Sequence, residues 1–177
     1  KYGHGTHIAG LLASVDKNGK YFAVAKNGKV LVSRSIDQSG KSNSIDLARS
    51  IDYAVSQGAE IINCSWGGGR PTLVLRDAFK RAHEKGILIF TSAGNAGINT
   101  DGSPQVPGVF PGVISIGSIQ KNNYLSKSSN WGINSVEFLA PGKDIESSIK
   151  GGETGTMSGT SMASAIAASS AAWLMGI

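Results

Sequence analysis

The sequence predicts an α/β protein, a three-layer sandwich in which a mostly parallel sheet carries helices on both faces. Short apolar runs alternate with amphipathic stretches of helical periodicity along the middle of the chain. The run at 87–92 is almost purely apolar, as expected of a strand that is covered on both faces. With 177 residues, of which 40% are hydrophobic and 16% are charged, the chain is long enough for one sizeable core. We therefore predict a single domain over residues 1–177.

The first predicted element is a helix that begins at His4, because Ile8, Leu11 and Leu12 follow it with helical spacing. The histidines at 4 and 7 do not form the zinc-helix motif, which needs histidines four residues apart with a glutamate between them. We expect His7 to be a packed, hydrogen-bonded side chain. The polar stretch 16–20 that follows is predicted to be a solvated turn, since its oxygen donors lack the spacing of a dedicated calcium loop.

Strands and helices then alternate, and glycines mark where the helices stop. The second helix is predicted to end at Gly58 and the third at Gly86. An i,i+4 ion pair between Asp77 and Arg81 is expected on the polar side of the third helix. The predicted strands span 29–36, 60–64, 87–92, 113–119 and 135–139, and the predicted helices span 44–57 and 72–85.

Glycine-rich segments follow two neighbouring strands of the predicted sheet. Ser65-Trp66-Gly67-Gly68 comes after one strand, and Ala93-Gly94-Asn95 comes after the next. Ligands of parallel sheets bind at the carboxyl ends of the strands, so these segments are candidate binding residues. The irregular stretch from Asn95 to Gly112 is long for a compact domain, which is typical of functional loops. The alternative for Asn95 is an asparagine that only fills a turn.

A candidate nucleophile, Ser161, stands where a glycine-rich approach meets an alanine-rich helix. A hydroxyl at this junction lies near unpaired backbone N–H groups and the positive end of the helix dipole. Such surroundings suit a reaction that builds negative charge on an oxygen. The alternative is that Ser161 is only the N-cap of the helix.

Taken together and in this order, the frames around His4, Asn95 and Ser161 resemble those of the subtilisin-like serine proteases. The resemblance rests on Gly-Thr-His-Ile-Ala-Gly at 5–10, Ser-Gly-Thr-Ser-Met-Ala at 158–163 and Ala-Pro-Gly at 140–142. It implies a subtilisin-like fold, secretion or an extracellular location, and a serine endopeptidase that cleaves extended peptide or protein substrates. It also implies no cofactor for the chemistry, although a structural calcium ion is compatible with it.

The resemblance also assigns roles to individual residues. His4 would be the general base, Ser161 the nucleophile, and Asn95 an oxyanion donor together with the backbone N–H of Ser161. An extended substrate would pair with the exposed backbone of the two glycine-rich segments. The residues implied in substrate binding are Ser65, Trp66, Gly67, Gly68, Ala93 and Gly94.

The chain departs from the family pattern in ways that bear on activity. The family's aspartate precedes its histidine by some thirty residues, but only three residues precede His4. Ala165 and Ile166 stand where the family has proline and histidine. We therefore expect an incomplete peptidase domain that lacks the aspartate segment and the C-terminal end, and that has little or no activity alone. Missing N- and C-terminal parts of the same precursor are its expected partners.

Other function classes have weaker support in the sequence. The net charge of +5 comes from scattered residues without basic clusters, so we expect no nucleic-acid partner, and no apolar run predicts a membrane span. Gly40-Lys41-Ser42 resembles part of a phosphate loop, but Ser35 stands where that motif needs a glycine. A non-catalytic peptide-binding pseudoprotease stays open as the alternative. The joint presence of His4, Asn95 and Ser161 disfavours it, because binding alone requires none of them.

Overall fold

The computed structural model describes residues 3–13, 19 and 22–177. In chain order, its helices and strands alternate much as the apolar periodicity predicts. The helices are α1 (His4–Ala13), α2 (Ser44–Ser56), α3 (Leu73–Glu84) and α4 (Thr160–Met175), and the strands are β1 (Ile61–Cys64), β2 (Leu88–Ser92), β3 (Val113–Ile119), β4 (Phe138–Pro141), β5 (Ile145–Ser148) and β6 (Thr154–Met157).

The main sheet has four parallel strands in the order β1-β2-β3-β4. Its register aligns Ile62 with Ile89 and Ile89 with Val113, so these three side chains lie in one row on one face. Phe90 and Ile114 are paired on the opposite face. Apolar residues on both faces explain why the strand sequences are nearly continuous hydrophobic runs.

Helices cover both faces of this sheet. Leu75 and Phe79 of α3, together with Ile51 of α2, pack against Ile89 and its neighbours on one face. On the other face, α4 packs through small residues such as Ala163 and Ala168 against Phe90 and Ile116. The alanines allow α4 to lie close to the sheet, which brings its first turn next to the strand ends. The predicted three-layer α/β class is confirmed.

One predicted strand is wrong. Residues 29–36 form no strand, and Val30, Leu31 and Val32 are exposed where a buried strand was expected. A strand is defined by hydrogen bonds to a neighbour, and β1 is the edge of the sheet on this side. Without a paired neighbour, β-branched residues alone do not make a strand.

The predicted strand at 135–139 is displaced, and a hairpin was missed. The strand that forms is β4, Phe138–Pro141, which pairs with β3. The antiparallel β5 and β6 form a separate two-stranded sheet. Their sequences, Ile-Glu-Ser-Ser and Thr-Gly-Thr-Met, have too few apolar residues to show an alternating pattern.

The polar pairing on α3 also differs from the prediction. Arg81 does not pair with Asp77 but donates to both carboxylate oxygens of Asp52 on α2, at 2.8–3.1 Å. Asp77 accepts instead from its neighbour Arg76. A guanidinium prefers to bind both oxygens of one carboxylate, and the contact between α2 and α3 allows this geometry. The sequence pattern of a single helix cannot predict a contact between two helices.

His7 is buried and hydrogen-bonded, as predicted. Its Nε2 lies 3.0 Å from the carbonyl oxygen of Ile145 and 3.2 Å from that of Gly155, so Nε2 carries the proton. These bonds attach α1 to the β5–β6 hairpin, which leads directly into α4. The predicted solvated turn at 16–20 lies outside the described residues, apart from Gly19.

Within residues 3–13, 19 and 22–177, no helix has both the length and the hydropathy needed to cross a bilayer. In the same ranges, no group of three or more His, Cys, Asp and Glu side chains lies in position to hold a metal ion.

Candidate active site

The first turn of α4 carries Ser161, and it is locked to the end of β1. Ser161 donates its hydroxyl proton to the carbonyl oxygen of Ser65 at 3.2 Å, and Ser65 donates its own to the carbonyl oxygen of Ser161 at 2.8 Å. The N-cap is Gly159, with φ at 149°, a backbone conformation that favours glycine. Ser161 therefore lies inside the helix, and the interpretation of it as an N-cap is wrong.

Further hydrogen bonds brace this junction from the second turn of α4. Ser164 donates to Oδ1 of Asn63 at 2.6 Å, and Nδ2 of Asn63 donates to the Ser65 hydroxyl at 2.9 Å. The relay joins one strand end to one helix start through three polar side chains. Helix α4 is continuous from Thr160 to Met175, so Ala165 and Ile166 do not disturb its beginning.

Asn95 lies against the same helix start. Its Oδ1 accepts from the backbone N–H of Thr160 at 2.9 Å and from the Thr160 hydroxyl at 3.2 Å. A carboxamide held by its oxygen has a fixed orientation, and its NH₂ group takes no part in these two bonds. The contact spans 65 residues of sequence, so the interpretation of Asn95 as a turn-filling residue is wrong.

Thr160 is a site residue that the sequence reasoning missed. It is fully buried, and its hydroxyl accepts from the backbone N–H of Gly94 at 3.1 Å while donating to Asn95. One side chain thus ties the loop after β2 to the turn that carries Ser161. The only signal in the sequence was its place beside Ser161, which does not reveal its partners.

His4 opens α1 and is partly exposed. Helix α1 packs on α4, where Ile8 and Leu11 contact Met162 and Ala165 in one apolar cluster. The helix that begins at His4 and the helix that carries Ser161 are therefore direct neighbours. The role of His4 as general base stays a prediction.

The residues implied in substrate binding fall into two groups. Gly67 and Gly68 are exposed, and the N–H of Gly68 donates to the carbonyl of Val106 at 2.9 Å. Trp66, by contrast, is partly buried against Phe79, with ring centroids 6.4 Å apart. The exposed part of this segment is therefore its glycine backbone, and Trp66 anchors the segment to the core.

Ala93 and Gly94 have their main-chain groups occupied within the chain. Ala93 donates to Ile116, and Gly94 donates to Thr160. The carbonyl oxygens of both accept from Asn130. These bonds hold the loop in shape, so contact of these two residues with a peptide stays a prediction.

Asp101 fastens the far part of the same loop to the segment before β4. Its carboxylate accepts from the backbone N–H groups of Ile133 at 3.0 Å and Asn134 at 2.8 Å, and from the Ser135 hydroxyl at 3.0 Å. These donors, the N–H of Asn134 foremost, hold the pKa of Asp101 below its ordinary value. The bonds stabilise the ionised form, which the folded protein keeps to lower pH than the unfolded chain.

Asp101→Asn is expected to lower the thermal midpoint at pH 7, because an amide NH₂ then faces a backbone donor. A depressed pKa contributes stability above the ordinary value, and that contribution is lost as the pH falls through the folded pKa. The difference in midpoint between wild type and variant should therefore shrink below about pH 4. Thermal unfolding followed by circular dichroism from pH 7 to pH 3 measures it, and a difference independent of pH would contradict this explanation.

Cys64 is not a competing nucleophile. It is buried in the core near the end of β1, and burial raises the pKa of its thiol to about 12. The thiolate is the reactive form of cysteine, so this side chain stays protonated and unreactive near neutral pH.

Comparison with known proteins agrees with this arrangement. The model of the Subtilase family matches residues 1–176. A thermophilic serine proteinase of Bacillus sp. (strain AK1) is 39% identical over 172 residues, which cover 97% of this chain and 42% of the relative. An intracellular serine protease of Paenibacillus polymyxa is 36% identical over 91% of this chain and 50% of its own length.

Solved structures show the same similarity in three dimensions. A cold adapted subtilisin-like serine proteinase superposes with a TM-score of 0.88 at 30% identity over 99% of this chain and 62% of its own. The prenylagaramide maturation protease PagA gives 0.89 at 32% identity, over 99% and 65%. The chain spans about half the length of these curated relatives and about two thirds of these structures. A family model matched over almost every residue, together with the same fold, shows that the chain belongs to the Subtilase family.

Proposed function

We propose that the protein containing this chain is a serine endopeptidase with Ser161 as nucleophile. The observation that supports this most directly is the pair of hydrogen bonds from Thr160 to Asn95. They hold a neutral carboxamide beside the first turn of a helix, where the N–H of Ser161 is also available. Two such donors are what a developing oxyanion needs.

In the proposed reaction, the Ser161 hydroxyl attacks the carbonyl carbon of the scissile bond and passes its proton to His4. The tetrahedral oxyanion accepts from Asn95 Nδ2 and from the Ser161 N–H. When it collapses, the C–N bond breaks and His4 returns the proton to the leaving amine. Water, deprotonated by His4, then attacks the acyl carbon. The ester C–O bond breaks, the free acid is released, and His4 returns the proton to the Ser161 oxygen. The Ser161 hydroxyl now bonded to Ser65 turns towards the imidazole to begin this sequence.

The proposed substrates are extended peptide segments. Gly67, Gly68 and Gly69 are exposed in the segment that follows Ser65, the residue hydrogen-bonded to Ser161. A backbone without side chains lets another backbone lie against it. Pairing with such an edge depends on main-chain groups, so it recognises an extended conformation more than a particular sequence.

We propose that the acid that orients His4 comes from a segment of the same polypeptide outside these 177 residues. A groove of about 760 Å³ runs along β1, the edge of the sheet, and is also lined by Lys29, Val30, Leu31, Ser33 and Ser35. Both α2 and α4, which cover opposite faces of the sheet, line it. The groove therefore continues the sheet layer between the two helical layers, where one further apolar strand fits.

The position of this groove connects it to the candidate site. β1 ends beside Ser65, so a strand parallel to β1 in the groove ends near Ser161. An acidic residue following such a strand would approach the same strand ends. The relatives and solved structures extend well beyond the region that they share with this chain, which leaves length for such a strand. We expect the 177-residue chain alone to be weakly active or inactive.

The test compares the complete polypeptide with its Ser161→Ala variant, using casein hydrolysis and labelling by a fluorophosphonate probe. We expect the wild type to hydrolyse casein and to take one label on Ser161, and the variant to lose both. Ser170→Ala is the matched control, since it removes from the same helix a hydroxyl whose hydrogen bond, among the described residues, is to the carbonyl oxygen of Ile166. Hydrolysis that survives Ser161→Ala would refute the proposal. A complete protein that takes no label would favour the peptide-binding pseudoprotease.

A further inference from the structure

Asn130 lies in the segment between β3 and β4 and is fully buried. Its Nδ2 donates to the carbonyl oxygen of Ala93 at 2.9 Å. Its Oδ1 accepts from the N–H of Ala96 at 2.9 Å and from that of Ile98 at 3.4 Å. A buried carboxamide with donor and acceptor both used is a strong local constraint, because leaving either unpaired is costly.

These bonds enclose Asn95 without touching it. The side chain of Asn130 holds the residue two before Asn95 and the residue just after it, and its backbone N–H donates to the carbonyl of Gly94 at 2.9 Å. Four main-chain groups around Asn95 are thus fixed by one residue. Asn95 itself is exposed and makes its side-chain bonds to Thr160.

Asn130 is in turn fixed to the sheet. The hydroxyl of Ser129 donates to the carbonyl of Asn130 at 2.9 Å and accepts from the N–H of Ser118 at 2.8 Å. Ser118 belongs to β3, and Ser118 and Ser129 are both buried. Hydrogen bonds therefore connect strand β3 to Asn130, and Asn130 to the loop that carries Asn95.

We propose that Asn130 is a positioning residue for the oxyanion donor Asn95, an inference that rests on the proposed function. Thr160 fixes the carboxamide oxygen of Asn95, and Asn130 fixes the backbone from which that side chain extends. Only an amide of this size supplies the donor for Ala93 together with the acceptor for Ala96 and Ile98. Aspartate has nearly the same shape, but it places a negative oxygen against the carbonyl of Ala93.

The expected kinetic effect follows from where Asn95 acts. An oxyanion donor binds the transition state more strongly than the substrate, so its displacement lowers kcat and leaves KM nearly unchanged. A displacement of about 1 Å in a catalytic group costs up to about a hundredfold. We expect Asn130→Asp to lower kcat by about tenfold to a hundredfold in the complete protein.

A double-mutant cycle with Asn95→Ala separates positioning from general destabilisation. If Asn130 acts through Asn95, adding Asn130→Asp to Asn95→Ala should lower kcat by less than about threefold, because the group being positioned is already gone. Ser135→Ala is the matched control, because it removes side-chain hydrogen bonds to Thr100 and Asp101, which lie outside residues 93–98. This control should lower the thermal midpoint and keep kcat.

If Asn130→Asp does not fold, Asn130→Ser is the variant to measure. Its hydroxyl can replace part of the hydrogen bonding to the loop, so we expect a smaller loss of kcat. Three results would overturn the inference if the wild type still hydrolyses casein. They are additive effects of the two substitutions on kcat, a change confined to KM, and an unchanged kcat in both Asn130 variants. A wild-type protein that neither hydrolyses casein nor takes the fluorophosphonate label would instead refute the proposed function, and this inference with it.

Discussion

Replacing Asn95 by alanine in the complete protein is expected to lower kcat by about 10²–10³-fold, the range measured for an oxyanion-hole asparagine in subtilisin itself. The structure gives a reason for so large an effect. The Asn95 carboxamide is held through its oxygen by Thr160, so its NH₂ group is oriented before substrate arrives. A donor that needs no reorganisation stabilises the transition state most effectively.

Steady-state kinetics with a chromogenic peptide measures this prediction. KM should change little, because the donor faces the oxyanion and not the ground-state substrate. Asn99→Ala is the matched control, since Asn99 is an exposed asparagine of the same loop whose side chain, within the part of the chain that the structure describes, accepts from the N–H of Asp101 alone. Equal losses of kcat in the two variants would show that the loop is disturbed generally and that Asn95 has no special role.

Gly94→Ala is expected to destabilise the protein strongly. Gly94 has φ at 102°, and a Cβ there would lie 2.4 Å from Nδ2 of Asn130 and 2.9 Å from Oε1 of Gln105. The backbone strain costs about 1–3 kcal/mol. Crowding in a packed site costs about 1–3 kcal/mol more. The free energy of unfolding should therefore fall by about 2–6 kcal/mol, and activity should fall with it because Asn130 and Asn95 move.

Urea unfolding of the complete protein measures this change without any need for catalysis. Gly102→Ala provides the comparison, because Gly102 belongs to the same loop and a Cβ there meets nothing within 4 Å. The midpoint of Gly102→Ala should stay near that of the wild type. Equal midpoints for the two variants would mean that the close approach of Gly94 and Asn130 is absent in solution.

The parts of the fold that could be predicted are those with local signals. Helix α3 shows its buried face in Leu75, Ala78 and Phe79, and a glycine follows its end. Strand β3 was predicted with its observed bounds, 113–119, and it has apolar residues on both faces. In both cases the pattern of apolar residues along the sequence indicates which side chains are buried, so the element can be predicted without knowing what packs against it.

The parts that could not be predicted depend on partners distant in sequence. Residues 29–36 have strand-like composition, but no neighbouring strand completes their hydrogen bonds in the structure described. The bond between Arg81 and Asp52 joins two helices, and a pattern within either helix cannot show it. In the β5–β6 hairpin, the Ser147 hydroxyl donates to the carbonyl of His7, and the carbonyl of Ile145 accepts from the His7 imidazole. These contacts with α1 exist only in the folded protein, so the hairpin sequence alone does not show them.

The candidate site shows the same division. Glycine-rich frames identified Ser161 and Asn95, because close backbone approach demands glycine at fixed places. Thr160 and Asn130 carried no such signal, since a buried threonine or asparagine is recognised only by the groups that it satisfies. The sequence thus indicates the chemical groups, and the structure is needed to find the residues that orient them.

The most direct measurement is a crystal structure of the complete protein after reaction with a fluorophosphonate. We predict phosphorus bonded to Oγ of Ser161, with one phosphoryl oxygen about 2.7–3.1 Å from both Asn95 Nδ2 and the Ser161 backbone nitrogen. The imidazole of His4 should lie within hydrogen-bond reach of Oγ. A label on another serine, or a phosphoryl oxygen directed away from Asn95, would contradict the proposal.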